Sequence, residues 1–171
     1  ITLHVRGDRR HMQDADALSV RESVALPLNL EMGNTPEMVD FALRLKPDYI
    51  CMVPEKREEI TTEGGLDAVF HEKDLAPTMA RMADNGIQVS LFIDPEVPQV
   101  EAAARLGAPM IELHTGCFAN HSGRERTEEL ARLKRAAELA HSLGIQVNAG
   151  HGINYQNLEQ LLAGVPCLHE L

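Results

Sequence analysis

The sequence predicts an α/β fold, a parallel (β/α)8 barrel of which this chain carries all but the first strand and most of the last. Three observations carry that reading. Short strand-like runs alternate with helix-like runs along all 171 residues. Each strand has one apolar face and one mixed face, whereas a strand sandwiched between helices reads as almost continuously apolar. The mixed faces turn polar at the carboxyl ends of the strands, where barrel sites are built. An open doubly wound sheet is the alternative, but no Gly-rich phosphate fingerprint follows any strand.

The elements follow in order. Residues 1–5 alternate Ile1, Leu3 and Val5 on one face with Thr2 and His4 on the other, and Arg6 continues the polar face. Further strands are expected at residues 26–31, 49–53, 88–93, 110–114 and 146–150, with another beginning at Leu168. In these, Leu28 and Leu30 alternate with Asn29 and Glu31. Val89, Leu91 and Ile93 alternate with Ser90, Phe92 and Asp94. Ile111 and Leu113 alternate with Met110, Glu112 and His114. Thr35-Pro36-Glu37 supplies a helix N-cap, a first-turn proline and an early acid, with Met38, Phe41, Ala42 and Leu45 following at helical spacing. Thr127-Glu128-Glu129 is expected to open a helix with Leu130, Leu133, Ala137 and Ala140 on one face. Gly86, Gly107 and Gly144 sit where C-terminal caps belong. Pro77 and Pro98 are expected in first turns, because a proline inside a helix removes a hydrogen bond. Met79 and Met82 read as core packing.

Without linkers or low-complexity segments, residues 1–171 read as a single domain. Both ends read as cut through strand structure, so segments are expected before Ile1 and after Leu171. The 16 Lys and Arg against 26 Asp and Glu give a formal charge of −10, which argues against nucleic-acid or membrane-surface partners. Any anion site must therefore be local. No apolar run is long enough to span a bilayer. Cys51, Cys117 and Cys167 are scattered and odd in number, which fits a reduced, cytoplasmic protein. Cys51 and Cys117 read as core and loop residues, with no base beside them to make a nucleophile.

Chemistry-bearing residues gather at strand ends. His4 and Arg6, with His11 close behind, combine proton transfer with oxyanion binding. Arg9 and Arg10 read as a solvated turn. Glu31 ends a strand on its inward face, where a carboxylate must be paired, hydrated or functional; a salt bridge to Arg6 is the structural alternative. Glu112 invites the same argument, and Asp94 and His114 also stand at strand ends. His151 lies between Gly150 and Gly152, and the Gly152 amide, near a helix start, is a candidate phosphate ligand; an ordinary turn is the alternative. The long polar connection 54–65 reads as a lid, with Thr61 its best ligand candidate and Lys56 through Glu59 solvated. A metal site is disfavoured: the first strand lacks a His-x-His pair, and its imidazoles are interleaved with Arg.

Six segments carry a resemblance to a known family: His4 to His11, Asn29 to Met32, Val53 to Asp67, Gly86 to Asp94, Ile111 to Gly116 and Val147 to Gly152. In order and through the whole chain they resemble the pyridoxine 5′-phosphate synthase family. Gly7 departs from the pattern, which has an acidic residue there. The resemblance implies a TIM barrel assembling into a homo-oligomer, an octamer. It implies the last step of deoxyxylulose-5-phosphate-dependent vitamin B6 synthesis, without metal or organic cofactor. There 3-amino-2-oxopropyl phosphate condenses with 1-deoxy-D-xylulose 5-phosphate to give pyridoxine 5′-phosphate, phosphate and water. His4 and Glu31 look like proton acceptors, His151 like a proton donor and Glu112 like a stabiliser of intermediates. Arg6, His11 and Thr61 look like ligands of deoxyxylulose phosphate, and Gly152 like a contact to the amino-ketone phosphate. The family's first-strand Asn-x-Asp-His and last-strand Gly-His motifs are not within residues 1–171. As a complete polypeptide the chain would be an unclosed barrel with little activity; flanked by those segments it should work. Two other readings are a metal-dependent barrel hydrolase or epimerase, favoured by loss of activity on chelation, and a non-catalytic barrel remnant, favoured by binding without turnover.

Overall fold

A computed structural model describes residues 1–55, 59, 61 and 64–171. The chain runs β1 (Thr2–His4), α1 (Asp14–Ser23), β2 (Asn29–Met32), α2 (Pro36–Leu45), β3 (Tyr49–Met52), α3 (Glu72–Asp84), β4 (Gln88–Ile93) and α4 (Val97–Arg105). It continues through β5 (Met110–His114), α5 (Gly116–Asn120), α6 (Gly123–Ser142), β6 (Gln146–Gly150), α7 (Leu158–Gly164) and β7 (Leu168–Glu170). All seven strands form one parallel sheet in sequence order. A doubly wound sheet reverses its strand order at a switch point, whereas an unbroken sequential order is that of a barrel wall. Thr2 on one edge strand and Glu170 on the other line the same cavity, so the sheet curls as a barrel does.

The alternation in the sequence becomes two environments. Leu30, Met32, Ile50, Leu91, Ile111 and Val147 point outward and lie buried in the core. The other face carries polar rows set by register. His4 pairs with Glu31, Glu31 with Cys51, Cys51 with Ser90 and Ser90 with Met110. One step further along the strands, Phe92 pairs with Glu112 and Glu112 with Asn148. Of these rows, Glu31, Cys51, Ser90, Met110, Glu112 and Asn148 line a cavity of about 370 Å³.

Helix ends show why strands follow helices so directly. Gly86, Gly107 and Gly144 all have positive φ. Behind them Ile87, Ala108 and Ile145 donate their amides to Met82, Ala103 and Ala140, closing the wide loop of a Schellman cap. Those three donors are buried, so each cap also seats the first apolar residue of the approach to the next strand. Thr35 caps α2 through the Met38 amide at 3.2 Å. Pro98 lies in the first turn of α4.

Three expectations change. Pro77 stands inside α3, not in its first turn; it and Lys73, whose carbonyl loses its partner, are both exposed, so water can satisfy that oxygen. α6 starts at Gly123 rather than near Thr127, and Arg126 in its first turn donates to the carbonyls of Phe118, Ala119 and His121 that end the short α5. Pro27 cannot donate to a ladder, and β2 begins at Asn29 rather than Leu26. The lid expectation falls largely on residues 56–58, 60, 62 and 63, outside the described residues. Among the described residues no helix is long and apolar enough to cross a membrane.

Candidate active site

β1 and β2 place His4 beside Glu31 in register. His4 Nδ1 stands 3.4 Å from Glu31 Oε2, with both side chains about one-third exposed (36% and 30%). The other ring nitrogen, Nε2, is buried and has no hydrogen-bond partner among the described residues. The pair is thus anchored at one end and unsatisfied at the other, the condition of a group waiting for a proton donor or acceptor. Glu31 therefore pairs with His4 and not with Arg6. Arg6 lies 3.8 Å from Asp8, beyond hydrogen-bond reach, and its Nε also lacks a partner among the described residues.

The loop after β1 is held from below. The Gly7 amide donates to both oxygens of Glu55, at 3.0 and 2.9 Å, which ties the exit of β1 to the exit of β3. A Cβ on Gly7 would stand 2.8 Å from a Glu55 oxygen, so a larger residue at position 7 would press on the Glu55 carboxylate. Arg10 pairs with Asp8 in the open, as a solvated turn does, and its side chain is the main cause of an Asp8 carboxyl lowered to about 2. Arg9 is different. It bonds Asp14 at 2.7 Å and Glu37 at 2.9 Å and lies over the Phe41 ring, so it fastens this loop to α1 and α2. His11 is exposed, and no hydrogen bond or ion pair among the described residues joins it to the other candidates.

Glu112, on β5, faces Cys51, whose thiol lies 3.6 Å from its Oε2. Burial pushes the Glu112 carboxyl above its ordinary value, and the Glu31 charge adds to that effect. Burial likewise pushes the Cys51 thiol well up, with Glu112 and Glu31 contributing, so Cys51 is no ready nucleophile.

A second cluster stands at the ends of β4, β5 and β6. Asp94 accepts from the Thr61 hydroxyl and, at 3.1 Å, from the Gly65 amide. Its Oδ1 lies 3.2 Å from His114 Nδ1. Burial would raise the Asp94 carboxyl, but these hydrogen bonds from His114, Thr61 and Gly65 prevail and lower it. The His114 ring packs 4.9 Å from that of His151. His151 holds a φ of 83°, a conformation that strains a non-glycine residue by about 1–3 kcal/mol. The buried Thr115 hydroxyl pins it there, 2.7 Å from both the Gly150 and His151 carbonyls. Gly152 also has positive φ, but α7 begins only at Leu158, so its amide is not at a helix start. Turns built on Asn154 and Asn157 fill the interval.

The structure thus brings His4 to Glu31, and Glu112 to Cys51 with the Glu31 charge near enough to act on it. It also brings Thr61 through Asp94 and His114 to His151. It leaves Arg6 and His11 without direct contacts to these groups. Asp94 and His114 are the residues whose connection sequence reasoning leaves unassigned; their inward positions at neighbouring strand ends are the available signal. Among the described residues no group of three or more His, Cys, Asp or Glu is placed to hold a metal ion.

Gly65 gives a direct test of this packing. A Cβ there would stand 2.5 Å from the Asp94 amide nitrogen and 2.8 Å from the Ile93 carbonyl carbon, both backbone atoms. Gly65→Ala is expected to cost about 1–3 kcal/mol of stability, read as a lower denaturant midpoint. An unchanged midpoint would show that the turn can retreat from β4.

A parallel barrel wall with imidazoles and acids at its carboxyl-end rim defines a β/α-barrel enzyme. Over residues 1–171 the chain matches the family model described as pyridoxal phosphate biosynthesis protein PdxJ, and it belongs to that family. It is 99% identical over 171 residues to a pyridoxine 5′-phosphate synthase from Akkermansia muciniphila, spanning all of this chain and 70% of that protein. It is 49% identical over 172 residues to proteins of the same name from Coxiella burnetii and Idiomarina loihiensis, spanning 71% of each. Among solved structures, a xylose isomerase domain protein from Planctomyces limnophilus superposes with a TM-score of 0.55 at 15% identity, over 84% of this chain and 62% of that one. That likeness supports the barrel fold alone.

Proposed function

We propose that this chain is a pyridoxine 5′-phosphate synthase, condensing 3-amino-2-oxopropyl phosphate with 1-deoxy-D-xylulose 5-phosphate to form pyridoxine 5′-phosphate, phosphate and water. Family membership supports the reaction, and the His4–Glu31 pair is the observation that carries the site. Joining an amine to a ketone, shifting hydrogens, expelling one of two phosphates and closing a ring all need protons moved at successive atoms. His4 and Glu31 then act as proton acceptors and His151 as a proton donor. Glu112, whose burial favours its neutral form, steadies proton-shifted intermediates.

Arg6, His11 and Thr61 hold deoxyxylulose phosphate, and Gly152 contacts the amino-ketone phosphate. The Arg6 Nε, 3.8 Å from Asp8 and without a hydrogen-bond partner among the described residues, fits a guanidinium that can take an anion. We read residues 1–171 as one barrel domain acting in the cytoplasm within a homo-octamer; the exposed Phe70, 77% accessible, suits a subunit contact.

Incubating the purified protein with both substrates should release phosphate and form pyridoxine 5′-phosphate; neither appearing overturns the assignment. Arg6→Lys should raise KM for deoxyxylulose phosphate roughly tenfold with little change in kcat, because the bidentate fork is lost. An unaltered KM would remove Arg6 from the phosphate site.

A further inference from the structure

We infer that Asp94 and His114 are positioning residues that lock the proposed proton donor His151 to the loop carrying Thr61, so that the two sides of the rim keep one geometry. This rests on the reading of His151 as a proton donor.

The observations converge on one carboxylate. Asp94 is 2% exposed and His114 7% exposed, yet neither belongs to the acids and bases assigned above. Asp94 receives three donors from two segments: the Thr61 hydroxyl and the Gly65 amide of one loop, and the His114 ring at the end of β5. A carboxylate 3.2 Å from Nδ1 selects the tautomer with its proton there and fixes the ring plane. The fixed ring is a wall for His151, 4.9 Å away between centroids, and Phe92 closes the group at 5.1 Å from His114 and 6.2 Å from His151. The spacing depends on Gly116, since a Cβ there would stand 2.7 Å from His114 Nε2 and 3.3 Å from His151 Cδ2. Thr115, next to His114, holds the His151 backbone at the same time. One segment of β5 and its turn therefore sets both the backbone and the ring of His151, and Asp94 sets that segment's imidazole. The Thr61 hydroxyl meets the opposite oxygen of the same carboxylate, so displacing the loop or the imidazole disturbs a shared anchor.

A double-mutant cycle on the full gene product tests this. His114→Phe keeps a ring in place but removes the bond to Asp94. It should lower kcat roughly 10- to 100-fold, with KM changed much less, because reacting groups tolerate little misplacement. In a His151→Asn background the same change should lower kcat no more than about twofold further, because its effect runs through His151. Equal losses in both backgrounds would overturn the proposal while leaving His151 a proton donor. Near-normal kcat in His151→Asn alone would instead overturn the site reading beneath it. Should His114→Phe fail to fold, Asp94→Asn followed by imidazole NMR serves in its place. There His114 remains, and displaced His151 ring signals are expected; unmoved signals overturn the proposal.

Discussion

Glu31→Gln is expected to lower kcat by roughly 10²- to 10⁴-fold, the range for loss of a positioned acid–base group. The substitution keeps size and shape and removes the negative charge together with the capacity to take a proton. The strand around it should not notice: Leu30 and Met32 are fully buried on the opposite face, and Glu31 is itself partly exposed. Its partner, His4 Nδ1 at 3.4 Å, can still meet an amide oxygen. Unfolding by denaturant should thus stay within about 0.5 kcal/mol of the parent, as for substitutions away from the packed core. KM should move little, since the group acts on protons in flight rather than on phosphate. Near-normal kcat with both substrates saturating would remove Glu31 from proton transfer and leave the His4 pair a structural contact.

Glu112→Gln should lose turnover and gain stability, with a pH dependence whose sign follows from burial. The Glu112 carboxyl is raised above its reference value of 4.5 by desolvation and then by the Glu31 charge. In the window between 4.5 and the higher folded value, the native protein holds a proton that the unfolded chain has released. Unfolding then releases that proton, and wild-type stability falls as pH rises through the window. Above it the penalty is complete, because a charge sits where water and Glu31 both disfavour it. Below 4.5 both states are protonated and the penalty vanishes. Glutamine carries no charge at any pH and can still accept from the Cys51 thiol, now 3.6 Å from Oε2. The variant should accordingly match the parent in acid and unfold at higher denaturant near neutrality, while kcat falls about 10- to 100-fold. A constant difference in midpoint across that pH range would show that Glu112 is not held protonated by its surroundings.

Much of the fold is legible in the residues because its signals are local. All seven strands lie within a few residues of their expected places, since alternation along a strand needs no knowledge of neighbours. The three glycines at helix ends announce themselves by type. Pro77 misleads because a rule about isolated helices ignores that an exposed carbonyl can turn to water. The start of α6 carries a local signal, Ser122 with Glu125 three residues on, yet the Ser122 side chain makes no cap hydrogen bond in the fold. What fixes it, Arg126 against the end of α5, is a contact between helices.

For the site, the residue types at strand ends point to proton transfer near phosphates, yet the partnerships do not follow from them. Glu31 reads equally well as a partner of Arg6, two residues beyond His4, because sequence proximity cannot say which polar group a neighbouring strand delivers. Thr61 reads as a ligand from the glycines beside it, while its hydroxyl in fact meets Asp94, far along the chain.

Periodicity and cap chemistry, written residue by residue, suffice to locate strands and helices, to say which strand face is polar and to name the residue types that crowd the carboxyl-end rim. The packed molecule is needed to bring His4 to Glu31, to lay Cys51 against Glu112 and to join Thr61 through one buried carboxylate to the imidazoles of His114 and His151. Those meetings depend on the register between strands and the curl of the sheet. Both are set by how the outward apolar residues pack under the helices, a property of the whole core.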